Sequence, residues 1–164
     1  MTKTLAWLPL YLFLLFLIYK NYNKQTWIPL IGITITILLA DQITSSIMKP
    51  YFMRLRPSNE PSLVGIVHLV NDYRGGLYGF ASSHAANTFG TAVFFWLLLR
   101  DQYKAMPLIF FWATGLTYTR IYLGVHYPGD ILVGMLVGVC SGLFGYWIFK
   151  KLHSQYSRSN RLIL

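Results

Sequence analysis

A chain of 164 residues that is 55% hydrophobic and only 12% charged is too short for two ordinary domains and too apolar for a typical soluble one. Its apolar residues gather into runs between short polar breaks instead of alternating, which excludes a closed β-barrel and predicts helices that satisfy their own backbone hydrogen bonds in lipid. The formal net charge of +9 sits at segment ends and in one central loop, without a long polar stripe interleaved with aromatics, so nucleic acid is excluded as a partner and the bilayer is expected instead.

Five apolar segments, each near the ~20 residues that cross a bilayer, predict an all-α, polytopic transmembrane bundle forming one domain over residues 1–164. The first covers residues 5–19. Lys3 ahead of it would also suit a signal peptide, but no small-residue cleavage site follows and a basic loop with Lys20 and Lys24 comes next. The second segment, residues 27–48, carries Asp41. An ionisable group there needs a partner, and a hydrogen bond with a nearby Thr or Ser is expected in preference to catalysis. A long connection over residues 49–83 follows, then the third segment, residues 84–99, the one segment whose length alone argues against a full span.

A second short basic loop holds Arg100 and Lys104 and leads to the fourth segment, residues 106–122. The fifth, residues 129–149, presents Gly134, Gly138 and Gly142 at four-residue spacing, one small face for close helix packing. Cys140 lies in this run as a packing residue, and a lone cysteine can form neither an internal disulfide nor a cysteine metal cluster. The tail carries Lys150, Lys151, Arg158 and Arg161, with His153 expected to be inert. Five spans put this tail on the same side as both short basic loops, which the charge bias assigns to the cytoplasm. The 49–83 connection and the turn over residues 120–130 then face outward.

That outward side collects Lys49, Arg54, Arg56, Arg74, Arg120, His84, His126 and Asp130. Cations where topology predicts few point to an anionic ligand, and arginine's planar fork matches phosphate oxygens. Taken singly, these residues have plainer readings: an interfacial histidine, an arginine-proline helix stop, a serine N-cap. Their conjunction carries the assignment. The stretches are KPYFMRLRP from Lys49, ASSH ending at His84, and TRIYLGVHYPGD from Thr119 to Asp130.

These three stretches resemble the type-2 phosphatidic acid phosphatase family, whose motifs are Lys with Arg-Pro seven residues on, Pro-Ser-Gly-His, and Ser-Arg with His six and Asp ten residues after the Arg. The first and third spacings match throughout. Ala81, Ser83 and Thr119 stand where the family has Pro, Gly and Ser. The resemblance implies a membrane phosphatase that works without cofactor or metal. In it His126 attacks phosphorus to form a phosphohistidine, Asp130 holds the His126 ring, and His84 protonates the leaving oxygen. Lys49, Arg56 and Arg120, with Ser82 and Ser83, would bind the phosphate, and Arg74 could meet a head group from the loop. Family members commonly have six spans, and residues 4–19 correspond to the second of them. The resemblance to small bacterial members implies a cytoplasmic-membrane enzyme with its site facing outward. It ranks undecaprenyl diphosphate first as substrate, followed by lipid A, phosphatidylglycerol phosphate and phosphatidic acid. The alternatives are an anionic-lipid binding or transport protein without hydrolysis, and a vanadate-binding haloperoxidase, which the membrane spans disfavour.

Overall fold

The computed structural model describes residues 7–161. Lys3, the opening of the first expected segment at residues 5 and 6, and the side chain of Arg161 lie outside the described residues. Five long helices make up most of the rest: α1 (Leu8–Tyr22), α2 (Trp27–Phe52), α3 (Ser83–Leu99), α4 (Ile109–Tyr122) and α5 (Pro128–Arg161). By length and composition, α2 and α5 are apolar enough to cross a membrane.

Local chemistry sets the helix ends. Asn23, at φ 44°, closes α1 and returns its N–H to the Tyr19 carbonyl. Met53, in the left-handed region at φ 44° and ψ 30°, does the same for α2 with its N–H on Lys49. Ser82 opens α3 as an N-cap whose hydroxyl accepts the Ala85 N–H at 3.4 Å. Pro128 begins α5, where a missing N–H costs nothing.

Two helices outrun the apolar segments. α2 continues past Met48 through Lys49 and Pro50 to Phe52, so the long connection starts at residue 53. A proline inside a helix removes one ladder hydrogen bond, yet the ladder has already changed spacing before it arrives. Residues Gln42–Met48 wind as wide π turns, and the Lys49 N–H bonds the Thr44 carbonyl, five residues back. α5 continues past Phe149 to Arg161 as a polar extension.

α3 sits at the centre. It packs against α2, α4 and α5, and apart from His84, Asn87, Trp96 and Leu97 its residues are buried. A helix shielded by protein can carry His84, Asn87, Thr88 and Thr91 without meeting lipid, which is why the third segment is short and only moderately apolar. The glycines of α5 make the close approach possible. A Cβ on Gly134 would come within 2.5 Å of the Ser82 carbonyl, one on Gly142 within 2.7 Å of the Gly90 carbonyl, and one on Gly138 would overlap the Ala86 carbonyl. Large apolar side chains on the outer faces, among them Phe13 and Phe16 of α1, Phe111 of α4 and Leu136 and Trp147 of α5, stay exposed, as lipid-facing residues do.

The bundle has two distinct ends. Around one of them, Asn21 donates to the Tyr103 hydroxyl at 3.1 Å, while Tyr22 and Trp27 meet His153 and Tyr156 edge-on. The two short basic connections and the α5 extension therefore lie together. At the other end are Lys49, His84, Arg120, His126 and the long loop.

Candidate active site

Three local devices build the site at that second end. The first is the start of α5. His126 lies just before the helix, and Asp130 is in its first turn, four residues on. The Asp130 carboxylate reaches back to accept the Tyr127 N–H at 2.9 Å, one half of a capping box. The same oxygen lies 3.3 Å from His126 Nδ1. Asp130 is fully buried and His126 nearly so, so the carboxylate fixes the ring with its Nδ1–H donated and leaves Nε2 available.

The second device is a short antiparallel pairing in the long connection. The Arg56 N–H donates to the Leu77 carbonyl at 3.2 Å and the Gly79 N–H to the Arg54 carbonyl at 2.9 Å, on either side of a bridge between Leu55 and Tyr78. In an extended stretch alternate side chains share a face, so Arg54 and Arg56 point together toward α5. Arg54 Nη1 donates to Asp130 Oδ1 at 3.0 Å, and its guanidinium lies 4.2 Å over the Tyr127 ring. Arg56 is steadied by Nε on the Tyr78 carbonyl at 3.1 Å. Gly79 keeps this junction tight: a Cβ there would sit 3.2 Å from Asp130 Oδ2 and 3.6 Å from His126 Nδ1.

The third device is the contact between α2 and the first turn of α3. Lys49 Nζ donates to Ser83 Oγ at 2.7 Å, and that hydroxyl is also 2.9 Å from Thr44 Oγ1 and 2.8 Å from Ser45 Oγ. The wide turns of α2 bring all three polar side chains onto the α3 cap. Ser83 is helical, so the position does not demand glycine, and its hydroxyl anchors the lysine.

Lys49, Arg56, Ser82, Ser83, His84, Arg120, His126 and Asp130 lie at this end. Arg120, buried at the end of α4, acts electrostatically on His84 together with His126, Lys49 and Arg56. Ser82 is fully buried; its hydroxyl serves as the α3 cap, and its N–H donates to the Asp130 carbonyl at 3.0 Å, tying α3 to α5. Arg74 stands apart, clasped to Ser58 by Nη1 on the Ser58 carbonyl at 3.0 Å and by the Ser58 hydroxyl on its own carbonyl at 2.7 Å. Asp41 takes the Ser45 hydroxyl at 3.2 Å, the internal hydrogen bond its position requires. The Thr119 hydroxyl turns back to the Leu116 carbonyl at 2.6 Å.

Sequence reasoning counted Arg54 among the outward cations without giving it a role, and left Gly79 out altogether. The i, i+2 alternation in Arg54-Leu55-Arg56 was the available signal for the first. Nothing local marks the second, because its role comes from a partner segment fifty residues further on.

Burial holds the His126 imidazole below its ordinary value of 6.5 and outweighs the Asp130 hydrogen bond, which pulls the other way; the positive charge of Arg56 adds to the depression. A depressed value keeps the ring neutral, with its lone pair free, to lower pH than a solvated histidine would allow. In a histidine-labelled sample in micelles, the resonance lost in His126→Ala is expected to titrate with a midpoint below 6.5. A midpoint above 6.5 would mean that Asp130 dominates over burial.

Comparison with known proteins identifies the family and the fold. Residues 30–154 match the family model described as PAP2 superfamily. The chain is 41% identical over 153 residues to a lipid A 4'-phosphatase of Bacteroides thetaiotaomicron, covering 92% of this chain and 68% of that protein. It is 36% identical over 146 residues to a lipid A 4'-phosphatase of Porphyromonas gingivalis, covering 88% of this chain and 61% of that protein. The crystal structure of Aquifex aeolicus LpxE superposes with a TM-score of 0.64 at 25% identity, over 87% of this chain and 77% of that one.

Proposed function

The chain belongs to the PAP2 superfamily and is a membrane lipid phosphatase of that type, and we propose that it removes a phosphate monoester from the sugar of lipid A. The observation that carries this reading is the buried His126–Asp130 pair within the field of Lys49 and Arg56, with Arg120 beside His84, in a chain whose two relatives above bear that name. Undecaprenyl diphosphate, first on motif resemblance alone, moves behind lipid A because both names indicate a sugar-borne monoester.

In the proposed reaction His126 Nε2 attacks phosphorus, the N–P bond forms, and the P–O bond to the lipid breaks. Asp130, already hydrogen-bonded to Nδ1, supports the positive charge that grows on the ring. His84 gives its proton to the departing oxygen. It then takes a proton from the water that cleaves the phosphohistidine and releases inorganic phosphate. Lys49, Arg56 and Arg120 hold the equatorial oxygens as their charge redistributes. The first-turn N–H groups of Ser83 and His84, at the positive end of α3, add backbone donors. The five helices cross the cytoplasmic membrane of a bacterium with this end outward, which leaves the short basic connections and the α5 extension on the cytoplasmic side.

Phosphate release from lipid A, undecaprenyl diphosphate, phosphatidylglycerol phosphate and phosphatidic acid in micelles, each with and without EDTA, tests the reading. Lipid A is expected to give the highest kcat/KM, with EDTA making no difference. Release confined to another lipid would overturn the substrate. No release by folded protein would turn the reading toward lipid binding.

A further inference from the structure

A pocket of about 290 Å³ opens beside His84 and Arg120 and runs between α1, α2, α3 and α4. The residues that close it are Asp41 of α2, Asn87 of α3, and Trp7 and Tyr11 at the start of α1. His84 is on its wall, whereas His126 is not. In an in-line displacement the leaving oxygen departs on the side opposite the nucleophile, so a pocket on the side of the proton donor is where the leaving group goes.

Its chemistry is specific. Asn87 Oδ1 is buried without a hydrogen-bond partner, and so is Trp7 Nε1. Leaving such an acceptor empty is costly, so it is owed a donor. The Asp41 carboxylate has one hydrogen bond among the described residues, from Ser45, and a carboxylate can accept several. Two acceptors with spare capacity, one indole donor and two aromatic rings suit a group with hydroxyls at its edge and C–H bonds on its faces. An ammonium would suit Asp41 alone, but the Arg120 and Lys49 charges beside it disfavour a second cation. The volume lies just under the lower end of small-ligand sites, about 300 Å³, enough for a ring and too small for acyl chains.

Resting on the phosphatase reading above, we propose that this pocket is a sugar subsite in which Asp41 and Asn87 accept hydroxyl hydrogens of the pyranose that carries the scissile phosphate, against Trp7 and Tyr11. A site built to bond hydroxyls discriminates against substrates that lack them. The prediction therefore concerns selectivity and not turnover alone.

The test compares kcat/KM for lipid A with kcat/KM for phosphatidic acid, in micelles, for wild type, Asn87→Leu and Asp41→Asn. The second variant is isosteric and guards against misfolding of the first. Each is expected to lower the lipid A to phosphatidic acid ratio by about tenfold. An equal loss on both lipids in both variants would make the pocket a packing feature and overturn the subsite, while leaving the substrate intact. Wild type that cleaves phosphatidic acid and not lipid A would overturn the subsite and the lipid A reading together.

Discussion

His126→Ala is expected to lower kcat by on the order of ten-thousandfold or more, the scale reached when a nucleophile that works with fixed partners is removed. Among the described residues no other group is positioned to replace it. Asp130 is buried and already holds the Tyr127 N–H and Arg54, while His84 lies among Arg120, Lys49 and Arg56 at the opening of the leaving-group pocket. Lipid binding should persist, because Lys49, Arg56 and Arg120 keep their charge and the alanine removes only the imidazole. Stopped-turnover experiments with radiolabelled phosphate on the lipid should show an acid-labile protein adduct in the wild type and none in the variant. Retention of more than a few per cent of the turnover would mean that water attacks phosphorus directly.

The second large effect is expected at Asp130→Asn, with kcat falling by roughly a hundredfold to ten-thousandfold, as when the orienting carboxylate of a catalytic histidine becomes an amide. Asp130 receives three donors: His126 Nδ1, the Tyr127 N–H and Arg54. An amide has one acceptor oxygen for them, and its NH₂ would face either the ring or the guanidinium. If it faces the ring, the wrong tautomer follows and Nε2 is no longer the attacking atom. KM should hold or fall, since Arg54 is released toward the phosphate while the overall charge becomes more positive. The sign of the pH effect is fixed as well. Asp130 is what pulls the His126 value up against burial, so without it the neutral ring persists further into acid and the acidic limb of the residual rate moves to lower pH. Unchanged kcat would show that packing alone orients the ring.

Much of the architecture was legible because both bilayer and chemistry impose spacing. The runs expected to end at Tyr19, Leu99 and Tyr122 reappear as helices, the first of them carried on to Tyr22, and the His126 to Asp130 interval works because a helix start brings a third-position acid back to the residues before it. The glycines of α5 could be read the same way, since four-residue spacing fixes one face. What escaped lies where no period applies. α2 runs on through Pro50 because an earlier change of winding absorbs the missing N–H, and a proline alone signals the opposite. The α5 extension is polar, so its helicity depends on propensity and on Tyr22 and Trp27 at its side. Arg54 reaches Asp130 through a two-residue pairing too short to leave a pattern, and Asn87 reads as one polar residue in a buried helix until the space next to it is seen.

The wide winding of Gln42–Met48 carries a further implication. Removing one residue from it would let the segment close as a regular α-helix, and each residue of an α-helix advances about 100° around the axis. Lys49 would swing away from the Ser83 hydroxyl, and a residue lost between Asp41 and Ser45 would separate the two side chains that now hydrogen-bond. Such a deletion would leave the motifs from Lys49 to Asp130 unaltered, with the same spacings and nearly the same hydropathy. The active site is thus encoded partly as angular phase along one helix, and a shortened chain could match the motif in full and still lack a working phosphate clamp.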